Sequence, residues 1–391
     1  MKSKISANSS CFTFAFIWFT TQFGGGFASG RQVIDFCFGY GPFVVITPVL
    51  TQILQGVILY FICKYAIEFK MFDYRSWTNS FYSPYDKIMS NCYELCYNLV
   101  LAIATAIAFA TGGATITQLL GTPYYLNTAI IGFLMLFLTI YGANLVRKAA
   151  TGISILIIAG LLIIFIPNII YFRSNIGSNF NIFLSQTTSQ HLTGGFWKAL
   201  IYASLQIAPM GAYLPHAAAL GEKINIKKAV ILGTLINASL MLMVSLGILG
   251  LHDKGIAGTV VPTLTVVTEG IGKQFLTPIV SILIFLGSVS TGVNLIFGIV
   301  KRVVSWLERN EEKSIKESKQ KSRSMLVAIV YIILTWSIAQ FGLIPLIAKG
   351  YSMVGYLTLF VVVIPVLIRG ILGWKKPVET SLEEKINNLE V

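Results

Sequence analysis

Three stretches of this chain carry residues whose type and spacing suit ligand chemistry. The first is FTTQFGGGFASGRQVID, where the seven residues from Gly24 to Gly30 hold four glycines together with Ala28 and Ser29. Glycine inside a helix costs about 1 kcal/mol relative to alanine, so an apolar helix opens most readily here. Opening frees amides at the start of the outer half, which suit a carboxylate, and carbonyls at the end of the inner half, which suit a cation. Close packing through Gly26 and Gly30 is the plainer use of such residues, but it needs only two small residues and three adjacent glycines exceed it. The second stretch is IYASLQIAPMGAYLPH, in which Pro209 and Pro215 flank Met210, Gly211 and Ala212, with Gln206 one turn earlier. Proline removes an amide and crowds the preceding turn, so this helix also breaks near its middle. The expected substrate contacts are Gly24, Gly26, Ala28, Ser29 and Gly30, with Gln206, Met210 and Gly211 facing them.

The third stretch, LIFLGSVSTGVN, sets the carbonyl of Gly287 and the hydroxyls of Ser290 and Thr291 at i, i+3 and i+4. Hard cations take oxygen ligands, so these three form half a sodium shell that carbonyls of Gln22 and Phe23 would complete. Ser and Thr in membrane helices also bond the preceding turn, so the expectation depends on both breaks lying where they do. Lys148 offers the alternative of proton coupling. Other chemistry is thinly represented. The histidines His191, His216 and His252 lie far apart, and Cys92 and Cys96, though one helical turn apart, lack a second pair to make a metal set. There is no phosphate-binding loop, zinc motif or nucleophile elbow, and no cluster of His, Asp or Glu, so the chain reads as a non-enzyme without a cofactor other than a coupling ion.

The elements that must position these residues are membrane helices. Apolar residues make up 55% of the 391 positions and charged residues only 12%, about half the share of a soluble domain. Stretches long enough to cross ~30 Å of hydrocarbon recur along the chain, and inside lipid such stretches must be helical. The pattern predicts ten spans, at 11–37, 42–64, 88–114, 125–145, 149–171, 195–220, 227–250, 274–304, 325–342 and 344–372. With both termini in the cytoplasm, 23 Lys and Arg fall inside and 5 outside, with Arg31 within the first span. The tract from Lys301 to Arg323 is then a cytoplasmic loop. It lacks the aromatic or groove-reading partners of a nucleic-acid surface, so the net charge of +13 points to the lipid bilayer and not to nucleic acid. Lys2 and Lys4 before the first apolar run resemble a signal peptide, but cleavage after it would remove the glycine-rich stretch.

The interrupted spans are the first and the sixth of ten, as in two five-helix repeats of opposite topology that each open with a discontinuous helix. The expected domains are a cytoplasmic N-terminus at 1–10, one transmembrane domain at 11–373 and a polar cytoplasmic tail at 374–391. Within the transmembrane domain the repeats would be 11–171 and 195–372. Arg31 and Asp35, four residues apart at the end of the first span, are spaced to pair, as intramembrane charges must.

The stretch FGGGFASGRQ, the ten spans and the proline-broken sixth span together resemble the YkvI family of bacterial membrane proteins over residues 10–373. That family is regarded as amino-acid-permease-like, within the amino acid–polyamine–organocation superfamily. The resemblance implies the leucine-transporter fold and backbone amides at Ala28, Ser29 and Gly30 that hold a substrate carboxylate. Arg31-Gln32 departs from the Gln-Glu-like pair expected after the glycine. Together these readings predict a plasma-membrane secondary transporter of an amino acid or amine, coupled to Na+ or alternatively H+. The rival reading is a receptor of the same fold that binds a small ligand and signals through the 301–323 loop. Composition leaves the oligomeric state open.

Overall fold

The computed structural model describes residues 7–221, 223–308, 311 and 313–374, so the first six residues and most of the expected tail lie outside the described residues. The described chain is almost wholly helical. Where the first span was expected there are three pieces, α1 (Ala7–Gln22), α2 (Gly25–Ala28) and α3 (Arg31–Cys37). Then follow α4 (Phe43–Glu68), a short α5 (Tyr74–Tyr82) and the long α6 (Asp86–Leu120). α7 (Tyr124–Phe137) runs through a π-helical turn at Leu138–Gly142 into α8 (Ala143–Tyr171), and α9 (Arg173–Ser185) follows. The sixth expected span is α10 (Ser189–Ile207), a 3-10 turn at Met210–Ala212 and α11 (Leu214–Ala217). The rest comprises α12 (Lys223–Leu249), α13 (Pro262–Glu269), α14 (Lys273–Leu307) and α15 (Lys313–Ala339). A last segment, α16 (Leu343–Pro345), α17 (Ser352–Thr358) and α18 (Ile364–Leu372), is joined by π-helical turns at Leu346–Tyr351 and Leu359–Val363.

Among the described residues, eight helices are long and apolar enough to cross a membrane. The two segments that open at glycine or proline are outside that count: α1, at 16 residues, is too short, and the 19 residues of α10 begin with the polar run Ser189-Gln190-His191 and are not apolar enough. Burial orders the bundle: 72% of the apolar window of α6 is buried inside the protein, against 22% for α15, so α6 is central and α15 peripheral. The outward faces carry bare apolar side chains such as Phe133, Leu145, Ile231 and Phe360, as lipid-facing helices do.

Three connecting segments fold into helices of their own. In 65–87, Asp73 caps α5 by accepting from the amides of Arg75 (3.1 Å) and Ser76 (2.9 Å), while Trp77 and Phe81 stack and are buried. The expected external loop 172–194 contains α9 and the start of α10, whose Thr188 and His191 cap each other reciprocally. Segment 251–273 contains α13. The principal packing pairs are α4 with α12, α6 with α14, α1 with α12 and α10 with α4.

Candidate functional site: a cavity between two interrupted helices

The first break follows from a close helix approach. A methyl group at Gly25 would lie 2.5 Å from Ser288 Cα and 2.7 Å from Ser288 N, so α2 rests directly on the backbone of α14 where only glycine fits. Beside it, Gly25 N donates to Thr291 Oγ1 (3.3 Å), and a Cβ at Gly24 would stand 2.9 Å from that same oxygen. The inner piece ends with Phe23 N donating to Phe19 O (2.8 Å); the amides of Phe27 and Ala28 donate to Gly24 O, not further back. The carbonyls of Thr20, Thr21, Gln22 and Phe23 therefore lie beyond the last helical amide, the usual state of a helix C-terminus but here deep in the protein. Gly30 (φ 81°) occupies the left-handed region that favours glycine, and it turns the chain into α3. The second half of the span is thus two short pieces, not one helix.

The charges after the break form a clamp. Both side chains are nearly buried, at 7% for Arg31 and 9% for Asp35, and Arg31 meets both Asp35 oxygens at 3.0 and 2.7 Å. Its remaining nitrogen donates to the carbonyls of Ala257 (2.7 Å) and Thr259 (3.0 Å). Thr263 N, in the first turn of α13, donates to Ser29 O (2.9 Å), so α13 and the loop before it are both tied to the C-terminal end of the first break. A buried guanidinium with one carboxylate and two carbonyls is well satisfied, which is what permits it at this depth.

The second break is made by Pro209, after which the chain turns through Met210–Ala212. Tyr93 Oη donates to Ala208 O (2.9 Å) and Tyr213 Oη to Gln206 O (3.3 Å), satisfying carbonyls near the interruption. On the basic side of the bundle, Gly211 sits against Tyr74 and Tyr97, each 3.2 Å from where its Cβ would be. Those rings are held by Arg302, 5.1 and 4.9 Å above them, which pairs with Glu94 and donates to Tyr74 Oη (2.6 Å). Burial pushes the Tyr74 phenol up to about 12, so it stays protonated and can also donate to Glu94.

A cavity of about 110 Å³ lies where the two breaks meet. One side is polar, with Thr21, Gln22, Gln32, Gln206 and Thr291 beside the backbone of Gly24–Gly26. The other is apolar, formed by Val100, Leu101, Ala104 and Ile107 of α6 with Leu205 and Leu295, and Tyr351 completes it. Its lining contains no Asp, Glu, Lys, Arg or His. Gln22 Oε1 accepts from Trp18 Nε1 (3.1 Å), and Gln22 Nε2 is buried without a hydrogen-bond partner among the described residues. Gln32 Oε1 accepts from Tyr202 Oη (3.0 Å), so its amide is likewise oriented with its N–H groups elsewhere.

Five of the residues expected from the sequence line this cavity: Gln22, Gly24, Gly26, Gln206 and Thr291. The others lie around it. Phe23 is buried with its ring between Phe19 and Phe27, at 4.8 and 4.0 Å, so only its backbone is available. Ala28, Ser29 and Gly30 lie toward α13, Ser29 Oγ donating to Gly26 O (2.7 Å). Met210 is fully buried outside the lining, and Gly211 faces the tyrosines. Gly287 abuts Gly25, with Gly25 Cα 3.7 Å from its Cβ direction, and Ser290 is buried one residue before Thr291. The serine that meets Gly25 is Ser288, whose Oγ donates to Ile284 O (2.8 Å). Lys148 is exposed; the α8 residue facing Gly287 is Ile157, nine positions on and ~13 Å further along the helix at 1.5 Å per residue. His216 is exposed and outside the lining. Sequence reasoning did not single out the α6 wall, although its run of alanines and Gly112-Gly113 marks a helix that others approach closely.

No family model and no curated protein matches the chain. Solved structures do. A Na+-coupled sialic acid symporter, in a substrate-bound outward-open state, aligns with a TM-score of 0.53 at 13% identity, covering 95% of this chain and 98% of that one. A mutant form of the Eremococcus coleocola manganese transporter aligns with a TM-score of 0.40 at 15% identity, covering 96% and 90%. The chain is therefore a multi-pass helical membrane protein with the fold seen in that symporter.

Proposed function

We propose that this protein is a secondary transporter that carries a small polar solute through the cavity between α1–α2 and α10 by alternating access. The observation that carries this reading is the meeting of two interrupted helices at one buried cavity, with backbone groups of Gly24–Gly26 and an unpartnered Gln22 amide turned to it. In membrane proteins, irregular backbone at such depth is tolerated where it lines a cavity or is buried in protein. α1–α3 and α10–α11 would each cross the membrane once, making ten crossings with the eight continuous helices. Packing supports the two inverted repeats, 11–171 and 195–372. Shifting every span by five exchanges α1 on α12 with α10 on α4, and leaves α4 on α12 and α6 on α14 unchanged. The short helices obey the same exchange: the segment beginning at α13 contacts the first break, and Tyr74 at the start of α5 contacts the second. Two rigid halves could then rock about the cavity, opening it to either side in turn.

The cavity bounds the solute. Its volume of about 110 Å³ confines the solute to a small molecule. Its neutral lining suits a solute without net charge: a free amine would bring an uncompensated charge, whereas a zwitterionic amino acid brings its own counter-charge. Gln22, Gly24, Gly26 and Gln206 would contact it, and Ala28, Ser29, Gly30, Met210 and Gly211 would serve the flanking hinges. The alignment with a Na+-coupled symporter and the freed carbonyls near Thr291 support Na+ as coupling ion, held by carbonyls of Gln22, Phe23 and Gly287 with the hydroxyls of Ser290 and Thr291. H+ remains the alternative, without help from Lys148. The Lys and Arg distribution supports both termini in the cytoplasm, and the proposed location is the plasma membrane.

A thermal-shift screen of the purified protein over amino acids, with and without sodium, tests the reading, because a ligand of the native state raises the melting temperature. The expected result is a hit whose shift grows in sodium and is lost in Ser290→Ala with Thr291→Ala, substrate and ion helping each other reciprocally. Equal binding and uptake in sodium and choline buffers, with uptake following a pH gradient, would transfer coupling to protons. Counterflow in proteoliposomes separates transport from sensing: a receptor would bind the same solute and move none.

A further inference from the structure

A groove remote from the transport cavity opens between the end of α14, the described start of α15 and the π-helical turn at Leu138–Gly142. It encloses about 430 Å³. Val300, Val304, Met325 and Ala328 make its apolar floor, while Lys301 and Lys321 stand exposed at its rim. Two polar atoms are buried in it without a hydrogen-bond partner among the described residues: Thr139 Oγ1 and Glu308 Oε1, on residues only 7% and 9% exposed. A buried unpartnered acceptor is costly, and a carboxylate more so than a neutral group, so the groove calls for a donor as well as an anion. Its walls belong to the ends of apolar spans on the face with the Lys and Arg excess, which sets it at the height of lipid headgroups.

We infer that the groove binds an aminophospholipid of the cytoplasmic leaflet. The phosphate lies between Lys301 and Lys321, the primary ammonium donates to Glu308 Oε1, and the first acyl carbons cover the floor. The selection is chemical. A lipid whose headgroup carries only negative charge offers Glu308 no counter-charge, at best a neutral hydroxyl. A choline headgroup has the same net charge as ethanolamine but no N–H to give the carboxylate. A soluble phosphoryl amine satisfies the rim and leaves the floor bare.

The test offers the delipidated full-length protein equal amounts of phosphatidylethanolamine, phosphatidylcholine and phosphatidylglycerol, and reads retained lipid by native mass spectrometry. Phosphatidylethanolamine should exceed phosphatidylcholine about tenfold, the worth of one charge-assisted hydrogen bond. Glu308→Gln should erase that preference without lowering phosphatidylglycerol retention, since it removes a like charge from the groove, and retained phosphatidylglycerol also shows the variant is folded. Lys301→Gln with Lys321→Gln should lower retention of both phosphatidylethanolamine and phosphatidylglycerol. Met325→Trp, filling the groove from its exposed side, should displace phosphatidylethanolamine without touching a charge. Equal retention of the ethanolamine and choline lipids, or a preference that survives Glu308→Gln, overturns the proposal. Phosphoethanolamine that protects the protein from heat as well as the whole lipid does overturns the lipid as occupant.

Discussion

The contact of α2 with α14 makes the glycine run testable one residue at a time. A methyl at Gly25 would stand 2.5 Å from Ser288 Cα, where ordinary contact begins at 3.4 Å, so the two backbones must separate by the difference, 3.4 − 2.5 = 0.9 Å. Overpacking costs typically 1–3 kcal/mol, and with backbone as the obstacle no rotamer relieves it, which puts Gly25→Ala at about 3 kcal/mol. Lifting α2 also strains the bond from Gly25 N to Thr291 Oγ1, worth about 1 kcal/mol more. Gly26→Ala meets the β-branch methyl of Ile107 (Cγ2 at 2.7 Å), which moves only with a stiff χ1, and the end of the Gln32 side chain (Nε2 at 3.0 Å); with about 1 kcal/mol gained by the helix from alanine, its net cost is about 1 kcal/mol. Gly30→Ala falls between, at about 2 kcal/mol, because φ of 81° is left-handed and Thr263 Oγ1 lies 2.8 Å away. Thermal unfolding in lipid nanodiscs, followed by tryptophan fluorescence, should rank the variants Gly25 worst, then Gly30, then Gly26. Ser288→Gly should rescue Gly25→Ala only in part, since it removes Oγ but leaves Cα and N. A Gly25→Ala protein as stable as wild type, or full rescue by Ser288→Gly, would refute the close approach.

Four further outcomes are expected. Arg31→Met strands a nearly buried Asp35 and should cost about 3–5 kcal/mol, most of it recovered by adding Asp35→Leu; a single variant no worse than the double would count against the clamp. Cysteines introduced at Ser185 or Gly255 should react with an impermeant reagent from outside the cell and one at Ser322 should not, and the reverse pattern would invert the orientation. Arg302→Gln should destabilise by about 1.5–3 kcal/mol in the same melting assay by releasing Glu94 and the tyrosines under Gly211; an unchanged melting curve would mean the pair is idle. Tyr74 keeps its proton to about 12 in the folded protein and loses it near 10.0 when unfolded, so its contribution is complete below pH 10 and fades as pH rises toward 12. Tyr74→Phe should flatten that loss of stability, and an unaltered pH profile would show the phenol is not responsible.

Much of the architecture is legible in the sequence, because lipid imposes it. A backbone in hydrocarbon has to be helical, so long apolar runs point to membrane-spanning helices, eight of which the described residues hold. The two interruptions were equally legible, since Gly24–Gly26 and Pro209 weaken a helix locally whatever surrounds them. Gln22, Gly24, Gly26, Gln206 and Thr291 follow from those interruptions, and the structure brings all five to one cavity. What the chain order does not carry is which face of an apolar helix looks inward. In water a helix shows its buried side by an apolar stripe, but a membrane helix is apolar all round and the stripe disappears. Val100, Leu101, Ala104 and Ile107 therefore look like any lipid-facing residues until α6 is placed at the centre of the bundle. The same blindness covers the hydroxyls of α14: nothing in the chain order says that Ser288, and not Ser290, meets Gly25. Arg31 and Asp35 announced their pairing by spacing, yet the carbonyls of Ala257 and Thr259 that complete the clamp lie more than two hundred residues away. Such partners are decided by tertiary structure alone, because a backbone carbonyl belongs to every residue and leaves no mark in the sequence.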